Sequence, residues 1–354
     1  DLSVSDLQAV FNRINASMTT ATRTAYEDLF KRIEIAEPIK GEIAEDTLSQ
    51  LFQQHVGDLV ANLGFDFVNG AENSLEPLRQ LLEEYKDDFT PNLRVEWDDH
   101  SLDTILDATA LESKWKFNIS SLARRVEGIS GGHLILVGAR PNTGKTSFHA
   151  SLVAADGGFA HQGAKVTVLC NEEAYTRVAA RYISASSNMT MTEVRTNKAL
   201  ANKRYHPVSE NIQFKDSTGK GMDWVESVVK YERPDILILD MGDKFADIRS
   251  ERSDITLKAA AIHARNIAKQ YDCAVVWMSQ LSAEAEGRAD LNQAMMEGSK
   301  TGKAAEADLM VLIGKTQQAE GEEDDPIRYL NIAKNKLNGF QGKITCVLDG
   351  SRSV

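Results

Sequence analysis

A short segment near the middle of the chain constrains its fold more than any other. An apolar run at residues 134–137 leads into residues 139–146, which end in Gly-Lys-Thr and precede a helix-compatible stretch. A strand, a tight loop and a helix N-terminus in this order are the layout of a phosphate-binding loop. Gly144 lets backbone N–H groups close around phosphate oxygens, and the helix N-terminus adds partial positive charge. Lys145 is predicted to reach the β- and γ-phosphates, and the Thr146 hydroxyl to ligate Mg²⁺.

The segment therefore predicts that the chain binds ATP or another nucleoside triphosphate together with Mg²⁺. A flexible Gly-Lys-Thr turn in a surface loop is the alternative, but the strand before the loop and the helix after it argue against that. One departure from the usual motif is Ala139, which stands where the first glycine is expected. The predicted phosphate-binding residues are Ala139, Arg140, Pro141, Asn142, Thr143, Gly144, Lys145, Thr146 and Ser147.

From about residue 117 onward, strand-like and helix-like segments alternate. Such alternation with near-continuous apolar strands predicts an α/β fold with a mostly parallel sheet and helices on both faces. Ligands of such sheets bind beyond the carboxyl ends of the strands, so we expect the functional residues there. The predicted strands are 133–138, 165–170, 235–240, 273–279, 308–313, 328–333 and 344–348, and the predicted helices include 145–155, 172–186, 222–232 and 254–271.

The N-terminal part has a different pattern, with apolar residues at three- and four-residue steps that predict helices, punctuated by glycines such as Gly57 and Gly64. Leu102, Ile105 and Leu106 then form an amphipathic stretch that is too short to be stable alone and needs a docking site on this or another chain. We predict a small all-helical N-terminal domain at 1–97, a linker with an amphipathic helix at 98–116, and an α/β domain at 117–354.

Composition excludes several classes of protein. No apolar run approaches the length of a membrane span, and the N-terminus lacks the basic and apolar regions of a signal peptide. Three cysteines, each within an apolar run, predict neither a disulfide framework nor a zinc site, as expected of a cytoplasmic protein. Residues 1–127 contain 24 acidic and 12 basic residues, so the acidic surplus lies there. The overall acidity therefore says little against nucleic-acid binding by the remainder.

Three predicted strands end in residues suited to phosphate chemistry. Asp240 ends an apolar strand and is predicted to complete the Mg²⁺ site, although strands also end in Asp for turn or cap reasons. Glu172, with Glu173 as the fallback, follows another strand and could polarise a water in line with the γ-phosphate. The alternative is that both glutamates only favour the next helix N-terminus. Gln280 ends a third strand and could sense the γ-phosphate, or could be a solvated strand end.

Two later segments carry lysines that suit a phosphate backbone or a nucleotide. Residues 282–306 lack an apolar period, which predicts a long mobile loop. Lys300 and Lys303 in it could track a nucleic-acid backbone, or the loop could simply be solvated. Lys334 and Lys336 occupy alternate positions at a strand end and could reach the nucleotide of a neighbouring subunit. Solvated hairpin lysines are the equal alternative for that pair.

The order of these motifs resembles that of the DnaB family of replicative helicases. Residues 138–146 are similar to the phosphate loop of that family, which often carries Ala-Arg-Pro here and also lacks the first glycine. The resemblance runs from about residue 117 to the C-terminus and implies a RecA-like motor domain. The other matching segments, in the family's order and at similar spacing, are 169–173, the strand that ends in Asp240, 279–281, 306–311 and 334–339.

The resemblance implies roles for single residues. Glu172 would activate water, Gln280 would link the γ-phosphate to the DNA loops, and Lys334 would match a lysine that acts on the neighbouring subunit. Lys336 is the nearest candidate for the family's arginine finger, although lysine lacks the guanidinium fork. The family's DNA loop carries Arg-Glu where this chain has Met296 and Glu297. DNA contact is therefore expected from Glu297, Lys300, Lys303 or backbone amides.

The expected function is an ATP-dependent replicative DNA helicase, a hexameric ring that translocates on single-stranded DNA and unwinds forks. A bacterial, cytoplasmic protein of bacteriophage type is implied, with primase, polymerase or loader partners and no membrane. Two alternatives remain open at this point: a RecA-like recombination or repair ATPase that coats DNA, and a regulatory ATPase that acts on protein partners.

Overall fold

The structure is a computed structural model, which describes residues 20–35, 41–70, 101–110, 113–246, 253–297, 302–317 and 325–354, with residues 8, 11, 13, 77, 78 and 81 besides. The chain divides into two compact units, Asp1–Asp99 and His100–Val354. The first unit contains helices α1, Thr20–Ile35, and α2, Gly41–Val68. Helix α2 runs through Gly57 and Gly64, so these glycines do not end it; a glycine inside a helix costs only about 1 kcal/mol. The helical pattern expected at 75–85 lies largely outside the described residues.

The second unit is built on an eight-stranded sheet, and its fold class is the one predicted. Its strands, with two short strands that precede the sheet, are β1 Trp115–Lys116, β2 Gly128–Ile129, β3 Leu134–Ala139, β4 Val166–Cys170, β5 Ile212–Asp216, β6 Ile236–Asp240, β7 Ala274–Gln280, β8 Leu309–Gly314, β9 Ile327–Asn335 and β10 Gly342–Val347. The strand order in the sheet is β10-β9-β8-β3-β7-β6-β4-β5. All pairings from β8 to β5 are parallel, whereas β9 and β10 join antiparallel at one end.

Helices cover both faces of the sheet, as the fold class requires. They are α3 Leu102–Ala110, α4 Ser120–Val126, α5 Lys145–Ala154, α6 Tyr175–Ser187, α7 Met191–Thr196, α8 Lys198–Ser209, α9 Met222–Glu232, α10 Ser253–Gln270 and α11 Gly302–Glu306. Alternate side chains of β3 enter opposite cores: Ile135 packs with residues of α5 and α6, and Leu136 packs with residues of α9 and α10. Burial on both faces explains why the central strands read as continuous apolar runs. None of the described helices has the length and apolar character needed to cross a membrane.

The sheet places four strand ends side by side. Ala139 at the end of β3 lies in register with Gln280 at the end of β7, and Cys170 at the end of β4 lies in register with Asp240 at the end of β6. Because these strands are parallel and adjacent, the segments that follow them meet at one edge of the sheet. That edge is where the sequence places its candidate residues.

Candidate functional site

The loop between β3 and α5 adopts the backbone geometry that a phosphate cradle requires. Asn142 and Gly144 both have positive φ, 59° and 106°, and Gly144 caps the N-terminus of α5. A Cβ atom on Gly144 would lie 2.6 Å from the Leu348 side chain, so only glycine fits. The loop is held from outside by Arg328, whose Nε donates to the Thr143 carbonyl at 2.9 Å. The amides at the start of α5 are therefore fixed toward the edge of the sheet.

An open cavity of about 300 Å³ lies over this loop. It brings together the loop, the segment after β4 and the end of β7, which lie far apart in sequence. Its lining residues are Ala139, Arg140, Pro141, Asn142, Gly144, Lys145, Thr146, Ser147, Glu172, Glu173, Arg181, Gln280, Arg328, Leu348 and Gly350. All but one of the nine residues predicted for the phosphate loop line this cavity. The exception is Thr143, whose carbonyl is taken by Arg328.

The two glutamates after β4 have different partners. Glu172 Oε2 accepts a hydrogen bond from Lys145 Nζ at 3.1 Å. Glu173 instead pairs with Arg181 on α6, at 3.6 Å between Oε1 and the guanidinium. Helix α6 begins only at Tyr175, so neither carboxylate lies in its first turn. The geometry favours Glu172 as the carboxylate nearest to the predicted phosphate position.

Asp240 is buried beneath the loop, and its surroundings are unusual for a carboxylate. Burial raises its pKa to about 6; Lys145 opposes that shift, and Glu172 adds to it. His149 on α5 faces it, with Nε2 at 3.8 Å from Asp240 Oδ1. Burial, with the nearby charge of Lys145, lowers the pKa of His149 to about 3, so the ring is neutral near pH 7. The Tyr182 hydroxyl lies 2.8 Å from the other ring nitrogen, Nδ1.

The residues around Asp240 fit a divalent cation. Asp240 Oδ1 is a buried carboxylate oxygen without a hydrogen-bond partner, and Thr146 lines the cavity nearby. Hard divalent cations prefer such oxygen ligands. Among the described residues no group of three or more His, Cys, Asp and Glu side chains is placed to hold a metal ion. A cation here would therefore need phosphate oxygens and water to complete its shell, as Mg²⁺ does in phosphoryl-transfer sites.

Gln280 reaches the same cavity from the end of β7, and a polar network lies directly behind it. Asp243, three residues after Asp240, accepts hydrogen bonds from the Gln280 backbone amide, Ser279 Oγ and Trp277 Nε1 at 3.4, 2.6 and 3.0 Å. Lys303 Nζ lies 2.7 Å from the same carboxylate. The strand end that carries Gln280 is thus bonded to the turn after β6.

The structure separates the three predicted DNA-contact residues. Glu297 is exposed, and Lys300 lies outside the described residues. Lys303 is fully buried, and its ammonium is bonded to Asp243, Ser279 and the Glu297 carbonyl. The prediction that Lys303 contacts DNA is wrong for this conformation, because its charge faces the protein interior. The expected long mobile loop is also shorter than predicted, since two 3-10 turns, Ala283–Ala285 and Gln293–Met295, give 282–297 a defined path.

Lys334 and Lys336 do not line the cavity of their own chain. Lys334 Nζ donates to the carbonyls of Ala304 and Ala305 at 2.5 and 2.9 Å. Partial burial lowers the pKa of Lys334, and the neighbouring Lys336 lowers it further. Lys336 Nζ is half-exposed and lies 4.0 Å from Asp308 Oδ1. A role for either lysine at the nucleotide of a neighbouring subunit stays a prediction.

Four residues at this edge escaped the sequence analysis: Arg181, Arg328, His149 and Tyr182. Arg181 lies eight positions after Glu173, a helical spacing that places it over the same site and could have revealed it. Arg328 follows an acidic stretch and gives no signal of its approach to the phosphate loop. His149 lies one helical turn after Lys145, but its pairing with Tyr182 across 33 residues is visible only in the fold.

Comparisons with known proteins agree with this geometry. A family model described as DnaB-like helicase C terminal domain matches residues 116–352. The Replicative DNA helicase DnaB of Pasteurella multocida (strain Pm70) is 25% identical over 250 residues, which are 66% of this chain and 53% of that protein. The protein of the same name from Haemophilus influenzae (strain ATCC 51907 / DSM 11121 / KW20 / Rd) is 24% identical over 251 residues, with the same two shares. This chain thus spans about half the length of the curated relatives it matches.

Two solved structures share the fold. One is a DnaB-like replicative helicase, described with its interactions with primase, at a TM-score of 0.66 and 17% identity; the match covers 87% of this chain and 76% of that one. The other is a separately solved ATPase domain, at a TM-score of 0.57 and 17% identity, covering 73% of this chain and 98% of that one. At this identity the likeness establishes the fold of the chain.

Proposed function

This chain belongs, through residues 116–352, to the family of DnaB-like helicase C-terminal domains, and on that premise we propose that it is an ATP-driven replicative DNA helicase. In this proposal six subunits form a ring around single-stranded DNA, hydrolyse ATP between neighbours and unwind the duplex at replication forks. The observation that carries the proposal is the cavity at the strand ends, where Lys145, Glu172 and Gln280 converge. Phosphoryl transfer requires such a set: a cation for the phosphates, a group that orients water, and preorganised electrostatics.

We propose that Thr146 and Asp240 hold Mg²⁺ through a hydroxyl and a carboxylate oxygen. The bound ion would neutralise charge on the β- and γ-phosphate oxygens. The unpartnered Asp240 Oδ1 supports this role, since a buried carboxylate oxygen without a hydrogen bond is otherwise unfavourable. His149, itself contacted by Tyr182, lies against the same oxygen and limits how far the carboxylate can turn.

Glu172 is the residue proposed to activate water. Its partner Lys145 is also the residue proposed to bind the phosphates, and a triphosphate offers that ammonium far more negative charge than one carboxylate does. We expect the phosphates to take over Lys145, which leaves Glu172 free to accept a proton from water. Glu173 keeps its own partner, Arg181, and is therefore the weaker candidate.

The ring assembly is supported by an exposed apolar face on α3. Leu102, Ile105 and Leu106 are 71%, 47% and 55% exposed, which is unfavourable for large apolar side chains unless another surface covers them. We propose that α3 docks on a neighbouring subunit and that Lys334 and Lys336 approach the neighbour's nucleotide. Single-stranded DNA would contact exposed groups after Gln280, Glu297 and Lys300 among them.

The proposed setting is the bacterial cytoplasm, for a chain of bacteriophage type, with primase, polymerase or a loader protein as partners. The similar helicase described with its interactions with primase supports that choice of partner. Recombination and regulatory ATPases share the motor fold, but the family match favours the helicase.

The test is ATP hydrolysis and strand displacement by the wild type and Glu172→Gln, with and without single-stranded DNA. We expect DNA to stimulate hydrolysis in the wild type and Glu172→Gln to lower the rate about 10²–10⁴-fold, since it removes a general base. Glu173→Gln is the matched control and should retain most of the activity. Hydrolysis that ignores DNA, or a forked duplex left intact by an active ATPase, would reject the helicase assignment.

A further inference from the structure

Lys303 occupies an environment that no surface lysine has. Its side chain has 0% exposure, and Nζ lies 2.7 Å from Asp243 Oδ1, 3.0 Å from Ser279 Oγ and 3.0 Å from the Glu297 carbonyl oxygen. A lysine ammonium is almost never fully buried unless it is paired. The three acceptors come from the turn after β6, the end of β7 and the segment before α11. One buried cation therefore joins three segments.

Asp243 completes the network on the side of the nucleotide cavity. Its carboxylate accepts hydrogen bonds from Trp277 Nε1, Ser279 Oγ and the Gln280 backbone amide. Gly242 allows the turn to pack on the indole, because a Cβ there would lie 2.5 Å from the Trp277 ring. Gln280 itself lines the cavity. A displacement of Gln280 would therefore move a hydrogen-bond donor of Asp243.

The segment after Gln280 forms a closed loop whose two ends meet beside Lys303. An antiparallel bridge pairs Leu281 with Met296. The Ser282 amide donates to the Met295 carbonyl at 2.8 Å, and the Glu297 amide donates to the Gln280 carbonyl at 3.2 Å. We call residues 281–297 the neck loop. It begins next to the residue that faces the nucleotide and ends at the residue whose carbonyl binds Lys303.

We propose that Lys303 is a positioning residue, which through Asp243 and the Glu297 carbonyl makes the neck loop follow the position of Gln280. This inference rests on the proposed function, because it assumes that Gln280 responds to a bound nucleotide. The physical reason is that a buried ammonium cannot lose its acceptors without a large penalty. When Asp243 and Ser279 shift with Gln280, Lys303 must either follow or break its bonds. The neck loop thus has a discrete arrangement for each state of the site instead of a free range.

A purely structural role is the alternative, in which the ion pair only holds the fold together. The two readings differ in one observable, the response of the neck loop to nucleotide. We would measure hydrogen–deuterium exchange of the full chain with and without Mg²⁺ and ATPγS. Protection of residues 139–147 reports binding, and exchange of residues 281–297 reports the neck loop.

In the wild type, nucleotide should change exchange in both segments. In Lys303→Met, residues 139–147 should still be protected while the response of the neck loop falls about tenfold, the size of a typical coupling. Lys303→Arg, which keeps a cation, should restore part of the response. Lys269→Met is the matched control, since it removes an exposed lysine from the last turn of α10 and should leave the response intact. The ratio of DNA-stimulated to basal hydrolysis should fall in parallel with the neck-loop response.

Each outcome has a defined meaning. A neck loop in Lys303→Met that responds as in the wild type overturns the inference, and so does a wild-type neck loop that ignores nucleotide while residues 139–147 are protected. If Lys303→Met does not fold, the double variant Asp243→Asn/Lys303→Met leaves no unpaired charge buried, and the same criteria apply to it. Absence of DNA stimulation together with an intact neck-loop response would reject the proposed function and leave the inference standing.

Discussion

Two lysine–carboxylate pairs at the same edge of the sheet differ mainly in their burial. Lys145 and Glu172 are 3.1 Å apart, with side chains 14% and 41% exposed, and both line the open cavity. Lys303 and Asp243 are 2.7 Å apart, with side chains 0% and 17% exposed, and lie behind Gln280. The first pair has few other bonds, whereas the second is held by Ser279 and Trp277 as well.

This difference teaches how one chemical pair can serve two purposes. An exposed ion pair is worth little in stability, so a competing anion exchanges it readily. A buried pair is costly to break, because each ion would be left unpaired in a medium of low polarity. We interpret Lys145–Glu172 as a pair made to be exchanged for phosphate and Lys303–Asp243 as a pair made to stay together.

The largest expected effect comes from breaking the buried pair. Asp243→Ala should lower the free energy of unfolding by about 3–5 kcal/mol, because Lys303 is then buried without its counter-charge. Denaturant unfolding would measure it. The double variant Asp243→Ala/Lys303→Met is the control and should recover most of the loss, since removal of both charges leaves no orphan ion. Equal destabilisation of the single and double variants would show that the pair is not what matters.

The second effect is on chemistry, at the exposed pair. Lys145→Met should lower ATP hydrolysis about 10²–10³-fold, the typical loss when one preorganised electrostatic group is removed. Its free energy of unfolding should change much less than that of Asp243→Ala. Steady-state hydrolysis and nucleotide binding would be measured, with Lys269→Met as the matched loss of one lysine. A Lys145→Met enzyme that kept full activity would contradict the phosphate role of Lys145.

The sheet was predictable because its central strands are buried on both sides. Every predicted strand lies within two residues of an observed one at its start and its end, as at Leu134–Ala139 for 133–138. The edge strand Ile212–Asp216 was missed, since it pairs only with β4, is largely exposed, and so carries no apolar run. Helix α7 was also missed, although its capping box from Thr190 to Glu193 is readable in the sequence.

The nucleotide cavity could be anticipated because its residues follow strands in a recognisable order. The Lys303 network could not, since a lysine in a polar segment looks solvated in sequence whether or not it is buried. Its partner Asp243 lies 60 positions away, and only the parallel pairing of β3, β6 and β7 brings the two segments together. Buried ion pairs depend on tertiary contacts that no local pattern records.

The smallest expected effect sharpens the comparison from the other side. Glu172→Gln removes one charge of the exposed pair and should change the free energy of unfolding by less than about 1 kcal/mol, since water already screens the pair. That small difference should shrink further as salt is raised, whereas the loss in Asp243→Ala should persist, because buried charges are screened much less. Denaturant unfolding at low and high salt measures both. A Glu172→Gln loss as large and as salt-insensitive as that of Asp243→Ala would make the two pairs alike, and the exchangeable role of Lys145 would fail with it.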